Sequence, residues 1–89
     1  MIIKDIFKKL KEKNGYLISN ERDGFAYEFE CYDDDISLMS LDHDATINFD
    51  AKWEDVNIKG SQVEIKGVDD WGYKIHMEFT MVIPFTNEN

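Results

Sequence analysis

The side chains best suited to metal binding are two histidines, each of which has carboxylates nearby. His43 stands between Asp42 and Asp44, and His76 precedes Glu78 by two residues. Imidazole and carboxylate groups together form a donor set that Zn²⁺ and related ions accept. However, adjacent residues of one turn seldom converge on a single ion, and the chain has no CxxC, HExxH or calcium-loop pattern. We therefore predict no metal site and no cofactor.

Nucleophilic chemistry has equally little support in the sequence. Cys31 is the only cysteine, and its alternation with charged residues predicts an inward-facing strand position beside Phe29, where burial disfavours the thiolate. The four serines have no histidine next to them, and the five glycines form no phosphate-binding loop. The sequence therefore predicts a protein that is not an enzyme.

The distribution of charge is the most informative feature of the sequence. The 89 residues carry nineteen acidic and ten basic side chains, for a net charge of −9. Residues 1–19 hold five lysines and two acids, whereas residues 20–57 hold twelve acids and only two basic side chains. The middle of the chain thus carries the whole acidic excess. This charge argues against direct binding to nucleic acid or to an anionic membrane.

A short N-terminal helix is predicted over residues 2–13. Ile3, Phe7 and Leu10 have the spacing of one helix face, and Asn14-Gly15 supplies a left-handed stop. A helix of about three turns is not stable alone in water, so its apolar face must dock on the rest of the chain.

The opposite side of this helix carries lysines. Lys4, Lys8 and Lys11 recur at helical spacing. They form either a cationic stripe for a second partner or the solvated face of a docked helix, where the later lysines favour the helix C-terminus.

The rest of the chain predicts strands, because apolar and polar side chains alternate with a period of two. The candidate strands are residues 16–19, 25–31, 36–41, 47–53, 63–66 and 73–83. The connections between them are short, which favours antiparallel neighbours. We predict one α+β domain over residues 1–89, in which the helix packs on a curled antiparallel meander of about five or six strands. Residues 86–89 are expected to form a frayed tail.

The strand alternation predicts that the acids of the middle segment point away from the core. They occupy outward strand positions and adjoining turns: Glu28, Glu30, Asp33, Asp34, Asp35, Asp42, Asp44, Asp50, Glu54 and Asp55. Carboxylates at positions i and i+2 of a strand are about 6.6 Å apart, a spacing of the same order as that of charges along a nucleic-acid strand. The sequence therefore predicts a one-sided negative surface that a basic groove can accept.

A second candidate contact is the turn that contains Asp69, Asp70 and Trp71. A large ring flanked by two carboxylates could anchor in a partner pocket. Alternatively, Trp71 folds back over the open end of the core. Trp53 continues the inward alternation of its strand and is predicted to lie in the core.

Together these features predict a small, acidic, non-catalytic binding protein. The first hypothesis is an inhibitor that occupies the basic nucleic-acid-binding surface of a partner, by class-level analogy with phage and mobile-element counter-defence proteins such as anti-CRISPR and anti-restriction proteins. One alternative is an immunity protein against a nuclease toxin. Another is a structural module that self-associates, for example as a homodimer. In a third, the acidic charge only keeps the protein soluble. The lone cysteine and the lack of a long apolar run predict a cytoplasmic protein without a membrane span.

Overall fold

The fold is given by a computed structural model that describes residues 2–21, 25–41 and 48–84. Helix α1 (Ile3–Glu12) is followed by seven strands: β1 (Tyr16–Ser19), β2 (Ala26–Cys31), β3 (Asp35–Ser40), β4 (Phe49–Lys52), β5 (Val56–Lys59), β6 (Gln62–Asp69) and β7 (Lys74–Val82). A 3₁₀ turn, Trp53–Asp55, lies between β4 and β5. The predicted α+β class and the N-terminal helix are confirmed.

The seven strands form one antiparallel sheet in the order β4-β3-β2-β1-β7-β6-β5. The sheet closes because β6 also pairs with β4, where Phe49 lies opposite Asp69 and Asp50 lies opposite Val68. Strand β5 pairs with residues 62–65 of β6. Strands β4 and β5, joined by the 3₁₀ turn, therefore both pair with β6 and close the barrel. The predicted curled meander of five or six strands is therefore corrected in one respect, since the seven-stranded sheet closes into a barrel.

Gly67 allows this closure. A Cβ atom on Gly67 would collide with the carbonyl oxygen of Asp50 and come within 2.8 Å of the Phe49 ring. Asp50 pairs with Val68 and Val56 pairs with Ile65. The segment between these pairs has five residues on one side, 51–55, and only two on the other, 66–67. The extra residues include the 3₁₀ turn, which accommodates the unequal lengths of the two segments as a bulge does in a sheet.

The inside of the barrel is filled by the apolar side chains of alternating strand positions. Three aromatic rings, those of Tyr27, Phe49 and Phe79, lie 5.2 to 6.5 Å apart between centroids. The buried apolar residues are Phe7, Leu10, Leu17, Tyr27, Phe29, Ile36, Leu38, Phe49, Ala51, Val56, Val63, Ile65, Met77 and Phe79. Burial of this apolar surface is the main stabilising contribution to the fold.

Helix α1 covers one end of the barrel. It contacts both β2 and β5, which are not neighbours in the sheet. The fully buried ring of Phe7 packs edge-on against Phe29 at 5.2 Å and lies 5.6 Å from the Trp53 ring. Asn14, with a φ of 59°, ends the helix in the left-handed region, as the Asn-Gly pair predicts.

Three details differ from the sequence expectations or lie beyond them. Strand β5 was not predicted, because it has only four residues and follows the 3₁₀ turn without a Gly or Pro signal. The run predicted at 47–53 yields a shorter strand, and Trp53 is half-buried against the core as the first residue of the 3₁₀ turn. The tail predicted at 86–89 lies outside the described residues.

Within the described ranges, no helix has the length and apolar character required to cross a bilayer.

Candidate functional site

Two adjoining segments at the helix-covered end of the barrel are rich in carboxylates, namely the β2–β3 turn and the 3₁₀ turn. Trp53 joins them, because its backbone N–H donates to the Asp34 carbonyl oxygen at 3.4 Å and its Nε1–H donates to the Tyr32 carbonyl oxygen at 2.8 Å. We call the carboxylates of these two segments and of the adjoining start of β3 the acidic ridge: Asp33, Asp34, Asp35, Glu54 and Asp55. All of these residues are exposed except Asp35, which is half-buried.

Two lysines reduce the charge at the borders of the acidic ridge. Lys4 Nζ lies 3.9 Å from Asp33 Oδ1 and donates to the Asp33 carbonyl oxygen at 3.5 Å. Lys52 lies directly opposite Asp35 in the β3–β4 pair. The Asp33 side chain is fully exposed, and ion pairs at such sites contribute little to stability. With five acids and two neighbouring lysines, the ridge keeps an excess of negative charge.

A second group of predicted acids lies on the outer face of strands β2 to β4. Glu30, Ser37 and Asp50 form one row across these three strands, and Glu28 is exposed on β2. Each end of the row has a partner, since Lys11 Nζ lies 2.7 Å from Glu30 Oε2 and Ser37 Oγ donates to Asp50 Oδ1 at 2.5 Å. Glu30 and Asp50 therefore each have a side-chain partner within the chain.

Two lysines of α1 thus contact acids of β2 and of the β2–β3 turn. Lys4 and Lys11 reach Asp33 and Glu30, and Lys11 Nζ also donates to the Phe29 carbonyl oxygen at 2.7 Å. These contacts fit neither interpretation of the lysine stripe, because Lys4 and Lys11 pair with acids of the same chain. They add exposed polar contacts to the apolar docking of the helix through Phe7 and Leu10.

A cleft of about 390 Å³ lies on the outer surface where β4 meets β6. Six charged side chains line it: Asp35, Asp50, Asp55, Lys52, Lys66 and Lys74. Because acids and lysines are equal in number here, the cleft is of mixed charge. The one-sided negative surface predicted from the sequence is interrupted at this cleft.

The turn of the β6–β7 hairpin lies away from the acidic ridge, near the opposite end of β4. Asp69 pairs with Phe49, the first residue of β4, whereas the 3₁₀ turn follows the last residue of β4. Asp69 Oδ1 accepts hydrogen bonds from the backbone N–H groups of Trp71 at 2.9 Å and Tyr73 at 2.8 Å. Asp69 thus shapes the turn, and Asp70 beside it is exposed.

Trp71 projects from this turn, because its side chain is 79% exposed. The interpretation in which it folds back over the core is therefore wrong, and its role as an anchor stays a prediction. Tyr73, at the start of the strand predicted over residues 73–83, is 70% exposed. It lies in the hairpin turn, before the first residue of β7.

The predicted partner-binding residues thus fall into three described groups: the acidic ridge, the outer face of β2 to β4, and the hairpin turn. Asp42 and Asp44, with His43 between them, lie outside the described residues. The contacts of Lys4 and Lys11 with these acids were not predicted. They depend on how α1 docks on the barrel, which a local pattern does not reveal. Lys52 shares the outward face of β4 with Asp50, as the alternation of that strand indicates.

Cys31 is half-buried near the end of β2, close to Lys11, Glu30 and Lys8. Burial raises the pKa of its thiol, and the charge of Lys11 opposes this shift. The environment agrees with the unreactive thiol expected from the sequence.

One group of three metal-ligating side chains was found in the described part of the chain. Glu64 on β6 and His76 and Glu78 on β7 each offer one ligand atom, and these atoms lie within 4.8 Å of one another. His76 Nε2 is 2.7 Å from Glu64 Oε2, and this hydrogen bond lowers the pKa of the Glu64 carboxyl. The sequence had placed His76 beside Glu78 and had given no indication of Glu64.

Comparisons with protein-family models, with curated proteins and with solved structures found no match to this chain.

Proposed function

We propose that this chain is a small, acidic, non-catalytic binding protein that inhibits a basic, nucleic-acid-handling partner. In this proposal the acidic ridge enters the Lys/Arg-rich surface on which the partner binds nucleic acid. The partner is thereby blocked by occupancy and is not chemically altered.

The observation that carries the proposal is the pair of hydrogen bonds from Trp53 to the β2–β3 turn. These bonds fix two acidic segments relative to each other before any partner binds. Loop ordering is one of the free-energy costs of association, so a ridge that is already ordered lowers this cost.

The charge of the whole chain supports the same function. A net charge of −9 attracts a basic surface over a distance, which raises the association rate at low salt. The ridge brings five acids together, with Lys4 and Lys52 as its neighbouring lysines. Two of its acids, Asp35 and Asp55, also line the mixed-charge cleft between β4 and β6.

The chemistry of the partner fits two biological settings. One is counter-defence by phages and mobile elements, in which an anti-CRISPR or anti-restriction protein blocks a nucleic-acid-binding effector. The other is immunity against a nuclease toxin. Both settings provide a basic channel that carboxylates can fill in place of phosphates, and both belong to the cytoplasm, where we place this protein.

A competition experiment tests this function. The immobilised protein is incubated with host lysate at low salt, and the captured proteins are challenged with double-stranded DNA. We expect DNA to release a basic nucleic-acid-binding protein, because both ligands compete for one surface. Captured proteins that stay bound in excess DNA at constant ionic strength would contradict the proposal.

A second candidate function is self-association through the hairpin turn. Trp71 and Tyr73 are 79% and 70% exposed, and Val68 nearby is 45% exposed. Aromatic side chains of this kind are enriched in protein interfaces. Sedimentation equilibrium distinguishes the two functions. A dimer that Trp71→Ala abolishes and Tyr32→Ala preserves would favour self-association, and a monomer at high concentration would exclude it.

A further inference from the structure

The outer face of the β6–β7 ladder carries an unusual pair of like charges. Glu64 and Glu78 lie directly opposite each other in the register, and His76 lies two residues from Glu78 on the same face of β7. Like charges directly across a strand pair destabilise it. A positive charge between the two carboxylates would reverse this effect.

The three side chains are close enough to share one ion. One ligand atom from each lies within 4.8 Å of the others, and the shortest separation is 2.7 Å, between His76 Nε2 and Glu64 Oε2. Ligands of Zn²⁺ lie about 2.0 to 2.2 Å from the ion and so, in a tetrahedral site, about 3.3 to 3.6 Å from one another. Small side-chain rotations are sufficient to reach that spacing, because all three side chains are at least partly exposed.

The donor set selects the class of ion. An imidazole nitrogen with two carboxylate oxygens suits first-row transition ions such as Zn²⁺, whereas Mg²⁺ and Ca²⁺ prefer oxygen ligands alone. The imidazole also distinguishes this group from the acidic ridge, which offers only carboxylates.

The surroundings orient the ligands. Strands β6 and β7 pair continuously from Gln62 opposite Thr80 to Val68 opposite Lys74, so the backbone beneath the group is fixed. Asn57 on β5 lies directly opposite Glu64 in the register, so its amide stands beside the Glu64 side chain. Polar neighbours of this kind orient a metal-ligating carboxylate.

We propose that Glu64, His76 and Glu78 form a binding site for a divalent first-row transition ion, with Zn²⁺ as the representative ion. Water completes the coordination, since the Glu64 and His76 side chains are 37% and 53% exposed. Such an ion would link β6 to β7 within the hairpin whose turn carries Trp71. The site goes beyond the proposed inhibitor function and does not depend on it.

Isothermal titration calorimetry with ZnCl₂ on the purified protein tests the site. We expect one ion per chain, and we expect Glu64→Gln, His76→Gln and Glu78→Gln each to weaken Zn²⁺ binding by at least ~10-fold. These side chains lie outside the core, and circular dichroism checks that each variant is folded. CaCl₂ in the same titration should bind far more weakly at this site.

The matched control is His43→Gln, which removes the other histidine of the chain. It should leave the Zn²⁺ affinity unchanged. The proposal is overturned if His76→Gln binds Zn²⁺ as tightly as the unaltered chain, if His43→Gln alone abolishes binding, or if the unaltered chain binds no Zn²⁺.

Discussion

Trp53 Nε1 donates a hydrogen bond of 2.8 Å to the carbonyl oxygen of Tyr32, joining two segments that are 21 residues apart in the chain. The same indole ring lies 5.6 Å from Phe7 of the helix. The Trp53 side chain therefore contacts α1 and joins the 3₁₀ turn to the β2–β3 turn. The proposed function depends on this connection, because it positions carboxylates that the sequence alone leaves in separate turns.

Replacing Trp53 with phenylalanine removes this hydrogen bond and keeps an aromatic ring. We expect the free energy of unfolding to fall by about 1 kcal/mol. We also expect partner affinity to fall roughly 2- to 10-fold although no charge has changed, because only the backbone bond from residue 53 to the Asp34 carbonyl oxygen then joins the two turns. Urea denaturation and a binding titration measure the two effects. Trp71→Phe is the control for stability, and an equal loss in both variants would contradict this role of Trp53.

Gly67→Ala tests the closure of the barrel. The new methyl group would collide with the Asp50 carbonyl oxygen, so β4 and β6 must move apart. We expect a loss of about 1 to 3 kcal/mol in the free energy of unfolding, measured by urea denaturation. Lys66→Ala, at the exposed neighbouring position, should change it by less than about 0.5 kcal/mol. A Gly67→Ala variant as stable as the unaltered chain would argue against the close contact.

Asp69→Ala tests the hairpin turn. The substitution leaves the N–H groups of Trp71 and Tyr73 without their carboxylate acceptor. We expect a loss of about 1 to 2 kcal/mol in the free energy of unfolding, together with faster hydrogen exchange at those two amides. Asp70→Ala removes the adjacent exposed carboxylate and should alter neither quantity appreciably. Similar exchange rates in the two variants would show that Asp69 does not shape the turn.

The pKa of Cys31 leads to a prediction about reactivity. Because burial raises the pKa, the folded protein holds less thiolate at pH 8 than the unfolded chain does. Labelling with a thiol reagent should therefore be slower in the folded protein than in urea. The difference should shrink as the pH rises toward the raised pKa, since the thiolate fraction then increases. Equal rates at pH 8 would contradict a buried thiol.

Local patterns in the sequence predict much of this fold. The spacing of Phe7 and Leu10 predicts the helix, Asn14 marks its end, and strict alternation identifies β2 and β7. Patterns of this kind report which face of an element is buried. They do not report which strands pair across the chain.

Non-local contacts account for what the sequence could not predict. The closure of the barrel depends on the fit of Gly67 against β4, and a glycine inside a strand has several structural explanations. The ion pairs of Lys4 and Lys11 depend on how the helix lies across the barrel end. The acidic residues were identifiable by composition, but only strand register determines which of them lie together.

The most direct test of the proposed function compares two variants with equal charge. Asp33→Asn, Asp34→Asn and Glu54→Gln together neutralise three acids of the ridge, and Asp5→Asn, Glu12→Gln and Glu21→Gln together neutralise three acids elsewhere. Affinity for the DNA-displaceable partner is measured by titration calorimetry at low and at moderate salt. We predict a far greater loss for the ridge variant, along with a weaker salt dependence. Equal losses in the two variants would show that only net charge matters and would contradict the proposed role of the acidic ridge.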